Sequence, residues 1–266
     1  MSMKHIVITG STRGIGHGLA EAFLRLGCSV TVSGRGKEVV EKKAASFRSE
    51  YDSECVLGLA CNVTDPVQVQ DLWDQSVKRF GKVDIWINNA GLSGEQGLVW
   101  ELSHKDAQIP IQTNILGTIY GAQVAMHGML TQGFGAIYNM EGMGSDGRKH
   151  TGLTLYGTSK YAIHYFTESL AMEVKNTPII IGALRPGMVI TDMIMNRYKD
   201  RPEEWEHAKK IFNIIADRVE NVSPWLAIKI LKNQKNNAIL AYSSSWKLLW
   251  RFASQAFVIR NVFTDS

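Results

Sequence analysis

Residues 4–16 read Lys4-His5-Ile6-Val7-Ile8-Thr9-Gly10-Ser11-Thr12-Arg13-Gly14-Ile15-Gly16, an apolar β-rich run that breaks into three closely spaced glycines. Helical spacing follows at once: Ile15, Leu19, Ala22, Phe23 and Leu26 fall on one face, and Gly27 stops the period. A strand that turns into a helix over so few residues needs the backbone freedom of glycine. The helix N-terminus then presents unpaired N–H groups and the positive end of its dipole at the turn, an arrangement that suits a phosphate. Gly10, Ser11, Thr12, Arg13, Gly14, Ile15 and Gly16 are therefore expected to cradle a dinucleotide, although the T-G-x-x-x-G-x-G spacing differs from G-x-G-x-x-G.

The alternation continues along the chain. Short β-rich runs at His5–Thr9, Ser29–Ser33, Cys55–Ala60, Val83–Asn88, Gly135–Met140, Pro178–Leu184 and Ala238–Tyr242 are separated by helical periods. Such a pattern predicts βαβ units and a single-domain, Rossmann-type doubly wound α/β fold with a parallel sheet of about seven strands. One helix opens with Asp65-Pro66, an N-cap followed by proline, and closes at Gly81. With 266 residues and no internal repeat or linker, one domain over 1–245 and a tail over 246–266 is the economical division. Within the domain, 188–217 is expected to cover the substrate, with a polar helical insert at 196–217.

Composition excludes several classes. The net charge of +4 is spread without runs, which argues against a nucleic-acid partner. Cys28, Cys55 and Cys61 are odd in number and predict buried thiols in a reducing, cytoplasmic setting. The seven histidines lack metal-ligand spacing, so no metal site is expected. No apolar run approaches the roughly 20 residues of a membrane span, and Lys4–Thr9 already reads as a strand, not as part of a leader.

The second informative element is Tyr156-Gly-Thr-Ser-Lys160. Residues four apart share a helix face, so a phenol and an ammonium can point into one cleft. A free phenol has a pKa near ~10, and a neighbouring cation favours its ionised form, bringing it toward the range useful for acid–base work. Downstream of a dinucleotide cradle, this pair predicts an oxidoreductase in which Tyr156 protonates a carbonyl oxygen as hydride arrives from a nicotinamide. The end of the second strand reads Ser33-Gly34-Arg35, without the acid that would hold ribose hydroxyls in NAD. Arg35, with Arg13, could instead grip a 2′-phosphate, which predicts NADP(H); alternatively both arginines are solvent-facing loop residues.

These motifs, with Asn62-Val63, Asn88-Asn89-Ala90-Gly91, Asn114 and Pro186-Gly187, lie in one order along nearly the whole chain, which resembles the short-chain dehydrogenase/reductase family. The resemblance implies a doubly wound seven-stranded sheet, assembled as a homodimer or homotetramer. It implies that Val63 lines the adenine pocket and that Asn62, where the family usually has aspartate, contacts the adenine. Asn89, Ala90 and Gly91 would form a cofactor-side wall, and Lys160 would also hold the nicotinamide ribose. Asn114 would kink its helix and anchor a proton-relay water. Pro186 and Gly187 would flank the nicotinamide, with Val189 and Thr191 at its carboxamide. Within the family, Asn139–Ser145, Leu155–Lys160, Arg185–Asp192 and Phe212–Ile215 are similar to a branch of plant chlorophyll b reductases, which reduce a formyl group on a tetrapyrrole.

One family feature is missing. The serine expected after the fifth strand falls on Gly142 counting forward from the strand, or on Met143 counting back from Tyr156. Ser145 is the nearest hydroxyl, and Gly142 and Gly144 could let the loop bring it to the carbonyl. Two other readings stay open: backbone N–H groups of this loop polarise the carbonyl, or the site is catalytically weak and the chain is an NADP-binding sensor or scaffold. Glu141 is either a substrate-binding carboxylate or a solvated loop acid. Met188, Met193, Ile194, Met195, Tyr198 and Trp205 suit a broad apolar pocket for a bulky hydrophobic aldehyde, ketone or alcohol, or else ordinary core packing. In the tail, Trp246, Leu249, Trp250, Ala253, Phe257 and Arg260 recur at helical spacing. That amphipathic stretch, 246–263, either packs on protein or lies in a membrane interface.

Overall fold

Seven parallel strands make the central sheet of the computed structural model, which describes residues 3–199, 202–243, 245–254 and 260–263. In chain order the strands are β1 (His5–Ile8), β2 (Ser29–Gly34), β3 (Val56–Ala60), β4 (Ile85–Asn88), β5 (Gly135–Met140) and β6 (Ile179–Arg185), then a short pair, β7 (Met188–Ile190) and β8 (Ala216–Arg218), and last β9 (Ala238–Ala241). The sheet order is β3-β2-β1-β4-β5-β6-β9, every pairing parallel. The order reverses between β1 and β4, so the connections leave their carboxyl ends on opposite sides and open a crevice there.

The helices are α1 (Gly14–Arg25), α2 (Lys37–Glu50), α3 (Pro66–Phe80), α4 (His104–Pro110), α5 (Gly117–Gln132), α6 (Thr154–Glu173), α7 (Asp192–Met195), α8 (Pro202–Ile215), α9 (Val219–Lys232) and α10 (Ser245–Ser254). Alternation along each strand splits the core into two layers. Ile6 and Ile8 of β1 join Leu19 and Phe23 of α1 and Leu226 of α9 on one face. Val7 joins Trp86, Leu72 and Trp73 of α3 and Met129 of α5 on the other. Helix α3 has the ends its sequence specifies: the Asp65 carboxylate accepts from the Val67 N–H at 3.0 Å, Pro66 opens the first turn, and Gly81 closes the last with φ 77°.

All seven expected strands form, with ends shifted by a residue or two. Cys55 lies in a single 3-10 turn, Ser53–Cys55, before β3 begins, and is half-buried, whereas Cys28 and Cys61 are buried; all three are free thiols. The β7–β8 ribbon was not expected. It pairs Val189 with Asp217 inside the cover segment, and three-residue runs are too short to show a period.

The tail packs on the domain through charge. Asp217 on β8 is buried and accepts from Arg251 Nη2 at 2.8 Å and Arg260 Nη2 at 3.2 Å. Val262 enters a small core with Ile194, Phe212 and Ala216, and Phe263 meets Trp205 edge-on at 4.9 Å. Trp246, Leu249 and Trp250 of α10 remain exposed. Phe257 lies outside the described residues. No described helix is long and apolar enough to cross a membrane.

Candidate active site

Where β1 and β4 part, the glycine turn and the chain after β4 come together at backbone distance. Gly10 has φ 64°, and a Cβ placed on it would lie 2.8 Å from Ala90 Cα; a Cβ on Gly16 would lie 2.4 Å from Asn89 Nδ2. Thr9 and Asn89 lock this junction. The Asn89 carboxamide donates to Thr9 O at 2.9 Å and Gly10 O at 3.0 Å, while Thr9 Oγ1 accepts the N–H groups of Asn89 and Ala90, each at 3.0 Å. Arg13, the N-cap of α1, makes no side-chain cap, and the first turn carries no acid. The leading N–H groups of α1 therefore face the crevice without a side-chain acceptor, a fit for an anionic pyrophosphate.

The crevice encloses about 990 Å³. Of the residues assigned to cofactor contact, Gly10, Thr12, Arg13, Gly14, Ile15 and Gly16 line it, as do Gly34, Arg35, Asn62 and Val63. Asn89, Ala90 and Gly91 line it beside Pro186, Gly187, Val189 and Thr191. Ser11 and Ser33 are corrections. Both are fully buried, and their hydroxyls donate to Ile8 O, at 2.8 and 3.2 Å. The Ser33 N–H also donates to Ser11 Oγ at 2.8 Å, so these serines stitch β1 to β2 behind the turn instead of facing the crevice. Arg13 and Arg35 are exposed at its rim and make no ion pair among the described residues.

Tyr156 enters from the first turn of α6, half-buried, with Lys160 one turn along. Lys160 is buried; its Nζ donates to Met140 O at 2.9 Å and sits 5.8 Å from the Tyr156 ring centroid. Burial pulls its pKa down to about 8, and the Glu141 carboxylate acts in the opposite direction. Asn114 lies in a π-helical turn, Ile111–Leu116, that follows Pro110. Proline supplies no N–H to the helical ladder, which favours such a widened turn. The Asn114 amide donates to Leu92 O and Ser159 Oγ, both at 2.9 Å, and its Oδ1 accepts from Leu92 N–H at 2.8 Å. Asn114 is thus fully buried and ties the chain after β4 to α6, set back from the crevice surface. Ser159, which the sequence reading passed over, is the other half of this tie and also donates to Tyr156 O at 2.7 Å.

The loop after β5 accounts for the missing serine. A Cβ at Gly142 would fall 2.6 Å from the Tyr156 hydroxyl, so here the main chain itself runs against the phenol. Gly144, at φ 98°, would place a Cβ 2.6 Å from Gly157 Cα, so the loop also lies directly on α6. Between these contacts, Ser145 N–H donates to Gly142 O at 3.1 Å and Gly142 N–H donates to Ser145 Oγ at 3.0 Å. Ser145 lines the crevice with Tyr156 and is held with its oxygen already accepting, which leaves its O–H to donate.

Glu141 lines the crevice, but its carboxylate is shielded from solvent and taken up by two side chains. It is buried and bonded to Arg185 Nε, and accepts at 2.8 Å from His164 Nδ1. The cross-strand register foretells this pair: Met140 lies beside Leu184, so the next residues are Glu141 and Arg185. At the substrate end, Met188, Met193, Ile194 and Tyr198 line the crevice as expected. Met195 is exposed, and Trp205 stands behind Phe212 in an aromatic cluster, their ring centroids 6.2 Å apart. Phe212, Ile215 and Phe252 were missed as lining residues. Phe212 and Ile215 fell inside a helix read as polar, and Phe252 lies off the tail face that carried the periodicity. No cluster of three metal-ligating side chains occurs among the described residues.

The fold is a Rossmann-type doubly wound sheet, and its crevice has the form of a dinucleotide cradle. Residues 4–202 match the family model described as short chain dehydrogenase, and the chain belongs to the short-chain dehydrogenase/reductase family. Among curated relatives, the chloroplastic chlorophyll(ide) b reductase NOL of Arabidopsis thaliana is 37% identical over 233 residues, 85% of this chain. The chain spans only 65% of that relative's length. A single-residue variant of the actinorhodin polyketide ketoreductase, solved with NADPH, superposes with a TM-score of 0.80 at 25% identity, covering 90% of this chain and 95% of the other. The 3-ketoacyl-(acyl-carrier-protein) reductase of Brucella melitensis, solved with NADH, shares the fold with a TM-score of 0.79 at 20% identity, covering 92% and 98%.

Proposed function

We propose that the chain is an NADP(H)-dependent reductase that converts the aldehyde or ketone of a bulky hydrophobic substrate to an alcohol. The observation that carries the reading is the placement of a buried ammonium, Lys160, beside a phenol in the same crevice as the glycine cradle. When bound in this crevice, a nicotinamide would supply the hydride for the carbonyl carbon. Tyr156 gives its hydroxyl proton to the carbonyl oxygen, and Lys160 stabilises the phenolate left behind. Ser145 donates a hydrogen bond to the same oxygen as negative charge develops on it. Asn114 keeps α6 and the chain after β4 in register. The backbone approach at Gly10 and Gly16 leaves room for the pyrophosphate, which the N-terminus of α1 would bind. Arg13 and Arg35 would take the 2′-phosphate, since no acid stands at the end of β2 to repel it. The methionines and aromatics over the crevice suit a large apolar substrate and exclude water from it. In reverse, the same groups oxidise the alcohol. The working form is a cytoplasmic homodimer or homotetramer.

Turnover of NADPH and NADH against hydrophobic aldehydes and ketones, up to steroid and tetrapyrrole size, tests this reading. NADPH should be preferred, and Tyr156→Phe should lose about a hundredfold to ten-thousandfold in kcat while still binding cofactor. Tight NADPH binding without turnover of any substrate would favour a sensor; a preference for NADH would remove the roles given to Arg13 and Arg35.

A further inference from the structure

The strand ends behind Tyr156 and Lys160 hold a charge cluster that the proposed chemistry does not use. Tyr156, Lys160, His164 and Glu168 follow at four-residue intervals and form one row along α6. The row starts at the crevice and ends at Glu168, whose carboxylate is half exposed and lies 3.6 Å from His164 Nε2. Glu141 faces this row from the end of β5, its carboxylate fully shielded from solvent. Its backbone N–H donates to Leu184 O at 2.9 Å, extending the β5–β6 ladder by one residue. Its two oxygens are taken by His164 and Arg185. Met140, whose carbonyl receives the Lys160 ammonium, is the residue immediately before it. The charged and titratable groups gathered here are thus Tyr156, Lys160, His164 and Glu168 from α6 and Arg185 from β6.

We propose that Glu141 is a positioning residue for the Tyr156–Lys160 pair: anchored between Arg185 and His164, its buried carboxylate sets an anion at the strand end that receives Lys160 and fixes α6 against the end of β5. The physical need is clear. An ammonium without water loses its charge unless an anion lies close by. Lys160 has a neutral carbonyl as its hydrogen-bond acceptor, and the nearby Glu141 carboxylate is what opposes the burial that pulls its pKa to about 8. A buried carboxylate in turn needs partners, and Arg185 and His164 supply them. With Glu141 neutral, the burial of Lys160 would go unopposed, and Lys160 would shed its proton at lower pH.

The proposal rests on the reductase reading for its kinetic consequence but not for its direct readout. In Glu141→Gln, NMR of lysine side chains labelled at 13Cε should show the Lys160 titration midpoint lower by about one pH unit. This measurement needs no turnover. The alkaline limb of the reduction pH profile should move down by the same amount, so that kcat falls about twofold at pH 7 and about tenfold well above pH 8 while KM changes less than twofold. Glu141→Asp keeps the charge; its limb should stay within a few tenths of a unit of wild type, which keeps the proposal testable should the glutamine variant not fold. An unmoved Lys160 midpoint in Glu141→Gln, a loss confined to KM, or a limb displaced in Glu141→Asp would each overturn it. A wild-type protein without turnover, but with a Lys160 midpoint that depends on Glu141, would instead refute the reductase reading alone.

Discussion

Gly142 shows how much one absent side chain can decide. Counted forward from β5, the family's serine would bring a hydroxyl to this position, yet in this chain a Cβ alone would stand 2.6 Å from the Tyr156 hydroxyl. Restoring that serine is therefore not a repair. Gly142→Ser should displace the phenol and lower kcat about tenfold or more, whereas Ser145→Ala should cost roughly tenfold to a thousandfold by removing the donor. Steady-state kinetics on any accepted carbonyl substrate checks both, and a Gly142→Ser enzyme faster than wild type would contradict the geometry. At this scale the sequence was only partly legible. Tyr156, Lys160 and the glycine turn carry their chemistry in residue type and spacing, so they could be found directly. Glu141 could not, because its surroundings depend on which strand lies beside β5; without that register, a carboxylate next to glycines reads as a loop acid.

Strand β1 carries a buried imidazole that links neighbouring elements. His5 Nδ1 donates to Lys82 O at 2.7 Å, and Nε2 accepts from Thr31 Oγ1 of β2 at 2.9 Å; Thr31 and Ser76 of α3 are 3.0 Å apart. Burial pushes the His5 pKa down to about 4. The folded protein thus holds His5 neutral while the unfolded chain takes up a proton near its ordinary value of 6.5. This contribution to stability is complete above 6.5 and is lost as the pH falls toward 4, a change on the order of 3 kcal/mol. His17, lowered chiefly by burial and also by Lys43, adds to the loss in the same direction. Urea unfolding at pH 7 and pH 4.5 should show the drop, and His5→Asn should be less stable at pH 7 but lose less on acidification. Elements with a strong period or turn signals, such as α3 between Asp65 and Gly81, were legible from sequence to within a residue or two. The β7–β8 ribbon was not, since its strands are held by pairing across the cover segment and not by any local preference.

For the molecule as a whole, Asp217 joins three regions: the cover segment that carries it, α10 through Arg251, and the last described residues through Arg260. Breaking a buried ion pair by removing one charge leaves the other unbalanced. Asp217→Asn should therefore lower unfolding stability by about 3 kcal/mol in urea titration, with the tail cut earlier in limited proteolysis. NADPH affinity should stay within twofold, because the glycine cradle lies elsewhere. KM for the largest substrates should rise as Phe252 loses its support. The sequence predicted an amphipathic tail, but not that a buried Arg251 and a half-buried Arg260 would hold it, because arginine ordinarily points to water.

Phe212, Ile215, Ser243 and Phe252 reach the crevice from the segments after α7, whereas the glycine turn reaches it from the first strand. Substitutions at Phe212, Ile215 or Phe252 therefore reshape the ceiling of this chamber without touching the glycine turn at its floor. What the chamber admits can thus be retuned from one end of the chain while the other keeps its arrangement.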